Sequence, residues 1–96
     1  MGVYKVSGKA ESDLTKMYEY GIETFGLKHA QIYLFGIHDM FQVLSDNINL
    51  GRDASEFVLN LMKFSYKSHT IFYLPTDIDI LIVRVLNQSM DYENNL

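Results

Sequence analysis

The stretch IDILIVRVLNQSMD, Ile78 to Asp91, decides how the chain is read. Its first nine residues, Ile78–Leu86, form the longest apolar run, with Ile, Leu and Val on both parities. A strand that is apolar on both faces is covered on both sides, so the run predicts a central strand. Arg84 interrupts it with a fixed charge, and a polar tail follows with Asn87, Met90 and Asp91. One reading is a half-buried arginine whose stem packs and whose head pairs with a carboxylate or a carbonyl. The other is a cation at the rim of a sheet, suited to phosphate or a partner's carboxylate.

Working outward, PTDID (Pro75–Asp79) is a turn, since proline presets φ and aspartate accepts local backbone bonds. Before it, LNLMKFSY (Leu59–Tyr66) and HTIFYL (His69–Leu74) read as strands joined by Lys67-Ser68, and INLGRDASE (Ile48–Glu56) reads as a loop turning at Gly51. Further back the period becomes helical. Ala30, Tyr33, Leu34, Ile37, Phe41 and Leu44 share one face, and so do Ala10, Leu14, Met17, Tyr18, Ile22 and Phe25. Lys9, Glu11, Asp13, Lys16, Glu19 and Glu23 fall mainly on the opposite side of the first helix. Gly26 suits the left-handed end of that helix, and so short a connection predicts an antiparallel hairpin, about Lys9–Phe25 and Lys28–Asp46. VYKVS (Val3–Ser7) opens the chain as a strand. The order is β-α-α-β-β-β. The expected fold is α+β, one domain over residues 1–96, with the hairpin packed on a mainly antiparallel sheet. Leu14, Ile22, Tyr33, Ile37, Phe41, Phe72, Ile82 and Val85 are the expected core.

Composition narrows the function. The chain has 96 residues, 48% hydrophobic and 21% charged, as a globular domain has and a disordered tail has not. It has no cysteine, which excludes disulfides, thiolate zinc sites and a cysteine nucleophile and fits a reducing cytoplasm. The first ten residues show no apolar signal region, and no run reaches the ~18 apolar residues of a membrane helix. The formal net charge of −4 argues against a broad nucleic-acid footprint, although Lys63, Lys67 and Arg84 are candidates for a local basic patch. There is no HExxH, Walker loop or GxGxxG. His29 and His38 read as exposed helical residues and His69 as a structural hydrogen-bond partner; Asp77 and Asp79 read as turn residues rather than a cation site. No catalytic residue, metal site or cofactor is expected.

The segments YKVSGKAESDL, FG before the second helix, LGR, SHTIFY and IVRVLNQSMD resemble the ParE toxins of bacterial type II toxin–antitoxin modules, in the RelE/ParE superfamily. The likeness covers nearly the whole chain and is most specific in Ser68–Tyr73 and Val83–Asp91. It implies the same β-α-α-β-β-β order. It also implies a protein that blocks DNA gyrase by binding, traps DNA breaks and is neutralised by a ParD-like antitoxin in a hetero-oligomer. DNA would be reached only through that antitoxin, and no membrane is involved. RelE relatives instead cut mRNA on the ribosome with a basic cluster and a tyrosine or histidine. This chain has Met62 where the family often has arginine and Asn87 where it usually has histidine, and both departures weaken the case for acid–base cleavage. A ribonuclease of RelE type and a non-toxic antitoxin-binding relative are the alternatives.

On this resemblance the candidate contact residues are Lys63, His69, Tyr73, Arg84, Asn87, Met90 and Asp91. Asp91 is the expected ion-pair partner of Arg84, and Asn87–Leu96 the expected contact with gyrase. A terminal piece such as Met90–Leu96 is expected to be removable without unfolding the sheet. The acidic balance of the chain predicts an antitoxin segment that is not itself strongly acidic.

Overall fold

The structure, a computed structural model, describes residues 2–96. Strand β1 (Tyr4–Val6) leads into helices α1 (Gly8–Phe25) and α2 (Leu27–Asp46), followed by β2 (Arg52–Asp53), β3 (Met62–Tyr66), β4 (His69–Pro75), β5 (Ile80–Asn87) and a short α3 (Tyr92–Asn95). The strands form one sheet in the order β1-β5-β4-β3-β2. β1 runs parallel to β5 and the other pairings are antiparallel. The α+β fold with a helical hairpin on a mainly antiparallel sheet is therefore what the periodicity predicted. Two elements were not foreseen: β2, inside the stretch read as loop, and α3, in the tail.

Local chemistry sets the helix ends. Ser7 caps α1, its Oγ accepting from the Ala10 N–H at 3.0 Å. One residue, Gly26, joins the two helices at φ 93° and ψ 162°, a region open essentially to glycine alone. Its N–H donates to the Ile22 carbonyl at the end of α1, and its own carbonyl accepts the first bond of α2, from Ala30.

Two apolar clusters lie on opposite faces of the sheet. Between hairpin and sheet sit Leu14, Ile37, Phe41, Leu44, Ile71, Tyr73, Ile80, Ile82 and Val85. On the other face Ala54, Leu61, Phe72 and Leu86 are covered by Phe57 from the β2–β3 connection and by Tyr92 and Leu96 from the tail. The Tyr92 ring meets Phe72 edge-on at 5.0 Å, and its hydroxyl shares a 2.8 Å hydrogen bond with Thr70 Oγ1. The tail is thus a piece of the second core, and removal of Met90–Leu96 would uncover Phe72 and Leu86; the expected free removal does not hold.

Of the expected core residues, Ile22 leaves the core and Tyr33 packs at its margin. Ile22 is 36% exposed and Tyr33 is half-buried. The α1 stripe loses its cover beyond Met17: Phe25 is 65% exposed, and Leu27 at the start of α2 is 53% exposed. The same overhang forms the groove described below. His38, read as exposed, is half-buried, with Nδ1 3.2 Å from the Tyr4 hydroxyl and its ring edge-on to Phe41.

A β-bulge sits beside Arg84. Phe72 pairs with Arg84 and Tyr73 with Ile82, so Val83 is an extra residue on β5. The parity slip sends Ile80, Ile82 and Val85 to the helix side and Leu86 to the other. It also takes Arg84 off the parity of Ile80 and Ile82 and sets it opposite Phe72, from where its head reaches both Asp13 on α1 and the Asn95 carbonyl in the tail. Its Nε and Nη2 donate to Asp13 Oδ2 and Oδ1 at 2.7 and 2.8 Å, a bidentate pair. Asp13 Oδ2 further accepts from the Val85 N–H at 3.0 Å, while Ser7 Oγ donates to the Val83 carbonyl at 2.8 Å. Asp13, assigned by periodicity to the solvent face, is only 11% exposed at its side chain, and Arg84 15%. The partner of Arg84 is Asp13 rather than Asp91, which caps α3 by accepting from the Glu93 N–H.

Two stability predictions follow from this packing. Phe41→Ala removes a fully buried ring and should cost about 3–5 kcal/mol in urea unfolding. Asp13→Ala and Arg84→Ala should each cost about 3–5 kcal/mol, because each leaves a poorly solvated charge without its partner. The double variant should lose clearly less than their sum, and an additive cycle would show that the pair is not coupled.

Candidate functional site

The overhang of the hairpin creates a groove of about 720 Å³ between the helices and one end of the sheet. On the α1 wall Asp13, Lys16, Met17, Tyr20 and Gly21 recur at helical spacing, and Phe25 closes that end. His29, Ile32 and Tyr33 come from α2, and Lys67, Ser68 and His69 from the β3–β4 turn. Val85, Asn87 and Met90 form the floor at the end of β5. Several of these side chains are large, apolar and exposed: Tyr20 (63%), Phe25, Ile32 and Met90.

The turn is fixed by a hydrogen-bonded cluster. Tyr33 Oη lies 2.7 Å from His69 Nδ1 and 3.4 Å from both the Tyr66 carbonyl and Ser68 Oγ. Burial lowers the His69 pKa, with the Asp13 charge pulling the other way. The Tyr33 hydroxyl and His69 Nδ1 share the shortest of the three bonds. Lys67 sits in the left-handed region at φ 53°, with its ammonium 5.6 Å from the Tyr33 ring centre and 5.4 Å from that of Tyr66.

The candidate contact residues do not form one site. His69, Asn87 and Met90 line the groove. Lys63 pairs with Glu56 at 3.8 Å, Arg84 with Asp13, and Asp91 serves α3. The basic patch of Lys63, Lys67 and Arg84 is not assembled, since among the described residues only Lys67 of the three lacks an ion pair. Tyr73 is fully buried and offers a partner no surface. Its hydroxyl donates to the Ile48 carbonyl and accepts from the Gly51 N–H, and burial pushes its pKa up. A Cβ at Gly51 would stand 2.4 Å from that hydroxyl, which explains a glycine there.

Sequence reasoning missed Asp13, Ser7, Lys16 and the Tyr33 hydroxyl. Ser7 carried a signal, a serine just ahead of a helical period. Asp13 carried none, because its partners lie more than seventy positions away in sequence. The groove offers an imidazole, a phenol and apolar walls. Among the described residues no group of three or more His, Asp or Glu gathers as a metal would require, and no helix is long and apolar enough to cross a membrane.

Comparison with known proteins bears on this geometry. The sequence pattern of the family described as ParE toxin of type II toxin-antitoxin system, parDE, matches residues 4–92. Toxin ParE1 of Mycobacterium tuberculosis is 32% identical over 94 residues, covering 97% of this chain and 96% of the relative. Toxin ParE3 of Caulobacter vibrioides is 33% identical over 79 residues, 82% of this chain and 79% of that one. A solved chain from the chromosomal ParDE system of P. aeruginosa superposes with a TM-score of 0.78 at 19% identity, covering 91% of this chain and 96% of its own, and so shares the fold. The chain belongs to the ParE family of toxins of type II toxin–antitoxin systems.

Proposed function

We propose that this chain acts in the cytoplasm by inhibiting DNA gyrase through binding, holding the enzyme in its DNA-cleaved state. A ParD-like antitoxin neutralises it by filling the groove. The observation that carries this reading is the groove itself, whose exposed Tyr20, Phe25, Ile32 and Met90 give an amphipathic segment of a partner an apolar seat. Such a segment orders as it docks.

The exposed part of the C-terminal signature, Asn87 to Asp91, is the proposed contact with gyrase. It is held from both sides. Asn87 Oδ1 accepts from the Ser89 N–H at 2.9 Å and so shapes the turn, while an Arg84 Nη1 bond to the Asn95 carbonyl fastens the following helix. Asn87 and Met90 belong to this turn and to the groove floor alike. An antitoxin seated in the groove would therefore cover part of the surface offered to gyrase, and neutralisation follows by occlusion. No bond-breaking by the toxin is needed, because gyrase supplies the cleavage.

Purified protein should inhibit supercoiling by gyrase and accumulate cleaved DNA. Met90→Asp, at an exposed position, should keep the fold by circular dichroism and weaken inhibition by about tenfold or more, the loss expected when a charge enters an apolar contact. Full inhibition by a folded Met90→Asp protein would refute the tail contact. Ribosome-dependent cleavage of mRNA by the intact protein, with gyrase unaffected, would replace the proposed function with that of a ribonuclease.

A further inference from the structure

The charge of the groove runs against the charge of the chain. The protein carries twelve Asp and Glu against eight Lys and Arg. Of the acidic residues only Asp13 lines the groove, and Arg84 neutralises it through a bidentate pair. Lys16 on the α1 wall and Lys67 at the β3–β4 turn also line it, and neither makes an ion pair among the described residues. Both are exposed, and each stands beside a histidine-bearing element, with His29 on α2 and His69 after the turn. The apolar seat is thus edged by cations whose charges are uncompensated within the chain.

We propose that the segment seated in this groove is amphipathic with an acidic polar edge, its carboxylates meeting Lys16 and Lys67 while its apolar face covers Tyr20, Phe25 and Ile32. This rests on the reading that the groove receives the antitoxin, and names the chemistry of its docking segment. It departs from the expectation drawn from net charge, that the segment is not strongly acidic. Net charge averages over a surface whose carboxylates lie elsewhere; a partner meets the local field. The Lys67 ammonium, placed over the Tyr33 and Tyr66 rings, is already partly organised, so an incoming carboxylate orders it at reduced entropic cost.

The test uses the full chain and two synthetic helical peptides with the same Leu- and Phe-rich apolar face. One carries glutamates on its polar face and the other lysines. By fluorescence anisotropy the glutamate peptide should bind about tenfold more tightly at ~50 mM salt, and the preference should shrink towards nothing at ~1 M, where exposed charges are screened. The Lys16→Glu/Lys67→Glu protein should reverse the preference. Lys9→Glu, an exposed change on the same helix outside the groove, should leave it unaltered. Equal binding of the two peptides, binding of neither, or an equal response to Lys9→Glu would overturn the inference. None of these outcomes touches gyrase inhibition, which the supercoiling assay reads separately.

Discussion

The structure hangs on a bulge and the groups that satisfy it. An extra residue in β5 breaks the ladder at Val83, and a buried break leaves backbone groups that must find partners. Helix α1 supplies them. Ser7 takes the Val83 carbonyl and Asp13 takes the Val85 N–H, so one helix is pinned to one strand at two points. Arg84, the residue that resumes the ladder opposite Phe72, closes the arrangement by neutralising Asp13 and reaching the tail at Asn95. Helix, strand and tail are therefore positioned by one network. Its ionic part alone would be weak grounds for stability, since desolvating two charges offsets most of their attraction. What it adds is geometry: a fixed angle for α1, and with it the overhang that opens the groove.

Much of this was legible in the sequence, and the exceptions share a cause. Local periodicity placed both helices, because Ile37, Phe41 and Leu44 repeat at the spacing of a helix face and do pack on the sheet. The two-sided apolar run gave β5 as an internal strand, flanked by β1 and β4. Periodicity could not show where the sheet ends. Ile22 and Phe25 continue the α1 stripe beyond the last strand residue able to cover them, so identical spacing yields core at Leu14 and exposed groove wall at Phe25. Asp13 fell on the polar face of a helical wheel, yet the bulge draws that face inward at one point. A β-bulge has no signature in an unbroken run of Ile, Leu and Val.

The candidate contacts divide along the same line. His69, Asn87 and Met90, read from a family resemblance, come together in the groove. Tyr73 and Arg84 belong to the same signature segments but serve the interior, one bracing the loop at Gly51 and the other bracing α1. A motif therefore mixes groove-lining residues with residues that brace the interior, and burial separates them. The local charge of the groove differs from the net charge of the chain. An acidic protein can present a basic edge when its carboxylates lie outside the site or are neutralised within it.

The network at the bulge is most directly tested by amide hydrogen exchange in Asp13→Ala, measured residue by residue under conditions where the variant remains folded. If Asp13 secures both the strand break and, through Arg84, the tail, the Val85 and Leu96 amides should lose protection together, while the Ile71 and Phe72 amides in β4 keep theirs. Unchanged protection at Leu96 alongside a loosened Val85 would contradict the account, since it would show that the tail is seated by Tyr92 and Leu96 packing alone.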